Sequence, residues 1–269
     1  MARPVTFLSD YGLTDEFVGV VHGVLARLCP DARVIDLTHG IRRHDVLGGA
    51  LALARALPYA PAGVHLAVVD PEVGARRRAV ALRTAEEDRL LVGPDNGLLL
   101  AAAERFGGVV EAVEVSSSPW RLEPVSATFH GRDLFAPVAA RLAAGEALAE
   151  AGEPVDPAAL VALDRPSARR EADGTIVAHA VGIDVFGNVA LDLTHGDLAE
   201  GPLRLGRPVR VDGGDGPYDA LFVRTFADVD PGALLVYEDA GGSIAVAVNS
   251  GDAAAELGIR VGGEVRLGP

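Results

Sequence analysis

With 269 residues, 49% of them hydrophobic, the chain can form one large domain or two ordinary ones around a real core. A net charge of −14 argues against nucleic acid as a partner, because duplex-binding proteins present a basic face and the only dense basic cluster here is Arg76-Arg77-Arg78. The single cysteine, Cys29, excludes an intrachain disulfide, and no apolar run approaches the roughly 18 residues of a membrane helix.

Residues 4–8 read as a buried strand that ends at Ser9-Asp10. A helix of about four turns follows, because Phe17, Val20, Val21, Val24, Leu25 and Leu28 fall on one face at helical spacing. Thr14 is its expected N-cap and Pro30 its stop, and Cys29 continues the apolar stripe as a small core residue. The alternation continues with a strand over 33–37, a helix over 45–57 and a fully apolar strand over 64–69. Strands over 78–83 and 90–92 are joined by a short polar link. A helix over 96–106, a strand over 109–115 and a helix over 133–144 complete the series. Continuous apolar strands alternating with helices predict an α/β domain over 1–152 with a largely parallel, covered sheet.

Composition shifts near residue 152. Residues 153–174, with Pro154, Pro157 and Pro166 and the charged run Arg169-Arg170-Glu171, read as a linker. Seven short β-rich runs then recur between 175 and 267, separated by Gly/Asp/Pro turns. They predict a smaller all-β, barrel-like domain over 175–269. The N-terminus enters a strand with no signal-peptide pattern, so a cytoplasmic protein without a membrane partner is expected.

Chemistry-bearing residues gather at strand ends and turns. Asp10 lies after the first strand, where ligands of open α/β sheets bind, and could accept bonds from vicinal hydroxyls; Asp10 and Asp15 could equally cap the loop and helix. Asp70 ends the most apolar strand, and Arg77 could return to it across a tight turn, either as functional machinery or as a structural ion pair. Strand alternation points Arg77 opposite to Arg76 and Arg78. His130 precedes Gly131 in a loop before a helix, a better place for a titrating group than His22, His65 or His179 inside regular elements. Asp10, His39, His44, Asp70 and His130 have metal-binding chemistry but no ligand spacing, so no metal site is assigned. In the β-rich half, Asp184, Phe186 and Asn188 place a carboxylate, an aromatic plate and an amide within five residues. That trio could bind a flat cationic ligand or simply close an Asx turn. Phe226 and Asn249 offer a further aromatic ring and amide.

Taken in order, several motifs resemble those of the S-adenosyl-L-methionine hydroxide adenosyltransferases, relatives of the fluorinating and chlorinating enzymes. They are Phe7-Leu8-Ser9-Asp10-Tyr11-Gly12 with Asp15, Asp36-Leu37-Thr38-His39, Asp70-Pro71 with Gly74, Gly93-Pro94-Asp95-Asn96-Gly97, Thr128-Phe129-His130-Gly131-Arg132-Asp133, Phe186-Gly187-Asn188 and Val248-Asn249. The resemblance spans nearly the whole chain. It implies a homotrimer whose sites lie between one subunit's N-terminal domain and a neighbour's C-terminal domain. It also implies that Asp10 holds the ribose hydroxyls, that Asp15 and Asp184 address the methionine end, and that Asn188 reads adenine. Phe186 and Phe226 would lie against the ring faces and Asn249 near the ring edge, with Asp70, Arg77 and His130 as the water-handling triad. The halogenating branches carry an aromatic residue in place of Asp70. The fluorinating branch has a long insertion where this chain has only Thr84–Asp88, and its contact to the methionine carboxylate is not matched at Ala240-Gly241.

The expected reaction is attack of water on C5′ of S-adenosyl-L-methionine, giving adenosine and L-methionine, with no cofactor and with adenosine able to stay bound. Arg77 would balance Asp70, and Asp70 or His130 would take the proton. Two rivals are a metal-dependent phosphoesterase using Asp10, His39, Asp70 and His130, and a non-catalytic module that binds adenosine or S-adenosylmethionine.

Overall fold

The computed structural model describes residues 1–198, 201 and 203–268; residue 269, the last of the expected β domain, lies outside that range. The contacts divide the chain into two units, Met1–Leu163 and Asp164–Pro269.

The first unit runs β1 (Val5–Ser9), α1 (Phe17–Leu28), β2 (Val34–Thr38), α2 (Val46–Ala56), β3 (Val64–Val68), β4 (Ala79–Thr84), β5 (Leu90–Pro94), α3 (Leu100–Glu104), β6 (Val109–Glu114), α4 (Ala136–Ala144) and β7 (Glu153–Pro154). Its sheet has the order β2-β1-β3-β5-β4-β6-β7. Pairings among β2, β1, β3 and β5 are parallel, whereas β5–β4, β4–β6 and β6–β7 are antiparallel. The sheet is therefore mixed rather than largely parallel. The physical reason is the link Ala85–Arg89, too short for a crossover, which folds β4 and β5 as a hairpin.

Strand alternation sends Val5 and Phe7 into a core shared with α1 and α4, and Leu8 into a second core with α2 and α3. Helices thus cover both faces, and β1, β3 and β5 are buried along their whole length. Inside this sheet His65 bonds to Thr6 Oγ1 (2.8 Å) and approaches Arg89 (3.2 Å); burial first, then the Arg89 charge, push it down to about 3, so it stays neutral. Asp45 caps α2 by accepting from Gly48 N (2.8 Å). Thr14 does not cap α1: the helix starts at Phe17 behind Glu16, with no side-chain cap. Cys29 follows the last turn of α1 and is buried.

The second unit runs β8 (Arg169–Arg170), β9 (Ile176–Ile183), β10 (Val189–Thr194), α5 (His195–Leu198), β11 (Pro208–Asp212), β12 (Pro217–Phe222), β13 (Leu234–Glu238), β14 (Ser243–Val248), α6 (Ala253–Glu256) and β15 (Glu264–Gly268). The order β10-β14-β13-β12-β11-β15-β9 closes on itself through β9–β10, and β8 adds to β9. Closure removes the sheet edges and encloses a core that includes Val189, Leu191, Val209, Phe222, Val246 and Leu267.

The segment expected as a linker, 153–174, carries structure at both ends. Glu153-Pro154 pairs with β6, Val161 N donates to Asp95 Oδ1 (2.9 Å), and Arg169-Arg170 pairs with β9. No helix among the described residues is long and apolar enough to cross a membrane.

Candidate active site

The C-terminal ends of β1 and β3, together with the turn before α4, bring Asp10, Asp70, Arg77 and His130 together. β3 delivers Asp70 at its apolar end, and the turn from Pro71 returns the chain to Arg77, just before β4. Gly74 makes that return possible, because its φ is +78° and a Cβ would lie 2.3 Å from the Ala127 carbonyl oxygen. Arg77 Nε lies 2.9 and 3.0 Å from the two Asp70 oxygens, and its Nη2 donates to Asp70 Oδ2 as well. The two side chains are only 4% and 5% exposed, so each charge depends on the other. Residues 76–78 lie in the loop before β4; Arg76 is exposed there, whereas Arg78, expected to face solvent, is drawn in by its pair with buried Asp95.

The same Nη2 lies 2.8 Å from His130 Nδ1. Guanidinium only donates, so Nδ1 accepts and the ring hydrogen belongs on Nε2. Burial first, and the Arg77 charge second, hold His130 below the ordinary imidazole value of 6.5. His130 is thus a neutral imidazole with one N–H to offer. Behind it, Arg132 and Ser126 N hold Asp133, at 2.6 and 2.8 Å. Burial alone would raise that carboxyl, but these partners win and keep it below the usual carboxylate range.

Asp10 accepts from His44 N (3.0 Å) and lines a cavity of about 170 Å³ with Asp70, His130, Tyr11, Phe17 and Phe129. Tyr11, Phe17 and Phe129 form an aromatic wall with centroids 5.2–5.9 Å apart. Burial, then the Asp10 and Asp70 carboxylates, raise the Tyr11 phenol far above its ordinary value, so it stays protonated. Glycine is required at 131, since a Cβ there would lie 2.1 Å from Tyr11 Oη. Sequence reasoning passed over Tyr11 as a wall residue; the Tyr11-Gly12 turn after a buried strand was the available signal. Asp15 is exposed, two residues before α1.

In the second unit, Asp184 closes the β9–β10 turn. Its Oδ1 accepts from Phe186 N (2.9 Å) and Asn188 N (3.0 Å), and its Oδ2 accepts from Asn188 Nδ2 (2.8 Å). Gly187 holds φ +81° in that turn, packed against Asp252. The turn leaves Val185 93% and Phe186 72% exposed. Asn249 Nδ2 donates to the Phe226 and Val229 carbonyls (3.1 and 2.8 Å), and the Phe226 ring lies tilted against Tyr237 at 5.0 Å between centroids. Burial first, then Asp184 and Asp239, push the Tyr237 phenol up to about 12. The amide hydrogens of Asn249 are therefore committed to the β12–β13 connection, leaving its oxygen, which accepts from Ser250 Oγ (3.2 Å).

The metal-ligating set of the phosphoesterase rival does not assemble. Among the described residues, the one group of three potential ligands is His22, Asp36 and His39.

Profiles of the SAM hydroxide adenosyltransferase N-terminal and C-terminal domains match residues 5–152 and 178–266. The chain belongs to this family. It is 54% identical to an (R)-S-adenosyl-L-methionine hydrolase of Salinispora tropica, over 98% of this chain and 97% of the relative. A protein of the same name from Thermus thermophilus is 40% identical over 98% and 99%. A fluorinase of Nocardia brasiliensis is more distant, at 29% over 98% and 97%. A crystal structure of an uncharacterized conserved protein from Thermotoga maritima superposes with a TM-score of 0.90 at 34% identity, covering 98% of this chain and all of the other.

Proposed function

We propose that the chain hydrolyses S-adenosyl-L-methionine, in the R configuration at sulfur that its relatives' names specify, to adenosine, L-methionine and a proton. The observation that carries this reading is the buried Asp70–Arg77 pair bonded to His130, on the wall of a cavity that also presents Asp10. Asp10 takes the ribose hydroxyls, leaving C5′ turned toward the array. A water there accepts the His130 Nε2 hydrogen and faces the Asp70 carboxylate. Its oxygen bonds to C5′ as the C5′–S bond breaks, and methionine leaves as a neutral thioether that needs no proton. The new hydroxyl carries an extra proton until Asp70 removes it. An alkyloxonium is a very strong acid, so even a carboxylate held by arginine suffices at that stage. This assigns His130 the role of water holder, because its second nitrogen is already engaged by Arg77. Placement and a dry, preorganised site supply the acceleration, and this chemistry calls on no cofactor.

A cavity of about 170 Å³ is smaller than the roughly 300–1,000 Å³ of pockets for drug-sized ligands. In this reading the adenine and methionine ends are received by a neighbouring copy in a homotrimer. Phe186 and Phe226 lie against the ring, Asn188 and the Asn249 oxygen read its edge, and Asp184 and Asp15 face the ammonium. The enzyme works in the cytoplasm, and adenosine can remain bound between turnovers. Purified protein incubated with each sulfonium epimer and analysed by chromatography should yield equimolar adenosine and methionine, faster from the R epimer. No adenosine from either epimer would leave the binding-module reading in its place.

A further inference from the structure

Behind Ser9, on the far side of the loop that carries Asp10, three side chains converge that the hydrolytic reading does not use. His22 lies within α1, Asp36 at the middle of β2, and His39 just beyond the end of β2. Asp36 Oδ1 is 2.8 Å from His22 Nε2 and 3.1 Å from His39 Nε2, and all three ligand atoms lie within 4.8 Å of one another. We propose that His22, Asp36 and His39 form a binding site for a divalent transition metal of the zinc class, which ties α1 to the edge strand β2 and braces the Asp10 loop.

The spacing suits such an ion. Metal–ligand bonds of about 2.0–2.2 Å in a tetrahedral arrangement separate neighbouring ligand atoms by roughly 3.3 Å, a few tenths more than the two contacts to Asp36. Two imidazole nitrogens and one carboxylate oxygen suit zinc, and also iron, nickel or copper, better than magnesium or calcium. The His22 and Asp36 side chains are 36% and 42% exposed, which gives an ion a way in and leaves room for a water as fourth ligand.

The second, independent observation is His39. Its side chain is 3% exposed, and Nε2 is the buried side-chain nitrogen that has no hydrogen-bond partner among the described residues. The 3.1 Å approach to Asp36 satisfies distance but not direction, so it does not count as a hydrogen bond. Its other nitrogen, Nδ1, is 2.8 Å from Ser9 Oγ. If Nδ1 carries the hydrogen and donates to Ser9, a bare Nε2 lone pair confronts a carboxylate oxygen. If Nε2 carries it, a buried N–H aims at nothing. Both arrangements leave a cost that buried polar groups normally avoid. A cation between Nε2 and the carboxylate removes the conflict and selects the first tautomer, with Ser9 as the outer partner that orients the ligating ring. A plain His22–Asp36 ion pair accounts for those two residues but leaves His39 unexplained.

The site reaches the loop through two bonds. Ser9 Oγ, besides meeting His39, accepts from Tyr11 N (3.3 Å), and Gly12 N donates to the His39 carbonyl (2.8 Å). An ion on Nε2 would therefore stiffen the Ser9–Gly12 turn without touching substrate.

The test uses the full chain, stripped with a chelator and dialysed, with no S-adenosylmethionine present. Titration with Zn²⁺ against a chromophoric competitor should show one tight site per chain. Titration with Co²⁺ should show the visible absorption of a low-coordinate cobalt–imidazole centre, and both metals should raise the melting temperature. His22→Ala, a helix position on the surface, should retain the fold and lose at least tenfold in affinity, and Asp36→Asn should do likewise. No stoichiometric binding, or equal binding by His22→Ala, would leave a hydrogen-bonded trio and an adventitious ion only, and would overturn the proposal. Because the readouts are binding, absorption and melting, they are independent of whether the chain hydrolyses its substrate.

Discussion

The two sets of candidate residues are built in opposite ways. In the first unit the acid and guanidinium are buried, with Asp70 and Arg77 only 5% and 4% exposed, and the guanidinium also bonds to a half-buried imidazole. In the second unit, Asp184 and Asn188 are bonded into a tight turn, but the ring it presents, Phe186, is 72% exposed. In the proposed reading, groups that act on one water are preorganised by burial, and a ring that meets a flat ligand is held out on a rigid turn. The first arrangement carries its own cost, since the loss of either charge strands the other. The second carries little, since the turn closes with or without a ligand.

That contrast predicts the ranking of substitutions. Asp70→Ala should be the most damaging: breaking a buried pair leaves the Arg77 charge uncompensated, at about 3–5 kcal/mol of stability by chemical denaturation, and should abolish turnover. His130→Ala should fold normally and lower turnover by roughly 10²–10³, the usual cost of one oriented donor, with substrate affinity nearly unchanged. Unchanged turnover would remove His130 from the mechanism.

The pH profile sharpens the same point. His130 must be neutral to accept from Arg77, and its folded value is depressed, so the active form persists as pH falls through 6.5. Activity should be flat near pH 8 and fall, by up to about tenfold per unit, below a midpoint lower than 6.5. A midpoint above 6.5 would contradict the Arg77–His130 contact. Phe186→Ala should raise KM by about ten- to a hundredfold, the worth of one stacked base, with no loss of melting temperature. Asn188→Ala should have the smallest effect of these on turnover while costing the fold about 0.5–1.5 kcal/mol by chemical denaturation, for one net hydrogen bond.

Much of this was legible in the residues. Apolar runs marked the strands and the Gly/Asp turns divided the barrel strands, because each signal is local; the inward turn of Arg77 is set by the loop before β4, not by strand alternation. The mixed sheet was less so: the strands over 78–83 and 90–92 look alike whether they pair as a hairpin or through a crossover, and only the brevity of the Ala85–Arg89 link discriminates. The grouping of His22 with Asp36 and His39 was hidden, since separations of 14 and 3 residues meet only when α1 packs beside β2. The chain separation of Asp70 and His130, 60 residues, was equally opaque without the resemblance that joined them. Local chemistry also could not show that Asn249 spends its amide hydrogens on backbone carbonyls, because Phe226 and Val229 lie in a strand connection more than a strand away along the chain.

The central claim is that water held by Asp70, Arg77 and His130 forms a new bond to C5′. Hydrolysis in ¹⁸O-labelled water, followed by mass spectrometry of both products, tests it most directly. The account predicts one ¹⁸O in the adenosine 5′-hydroxyl and none in methionine. Unlabelled adenosine, or label carried by the amino-acid product, would contradict it.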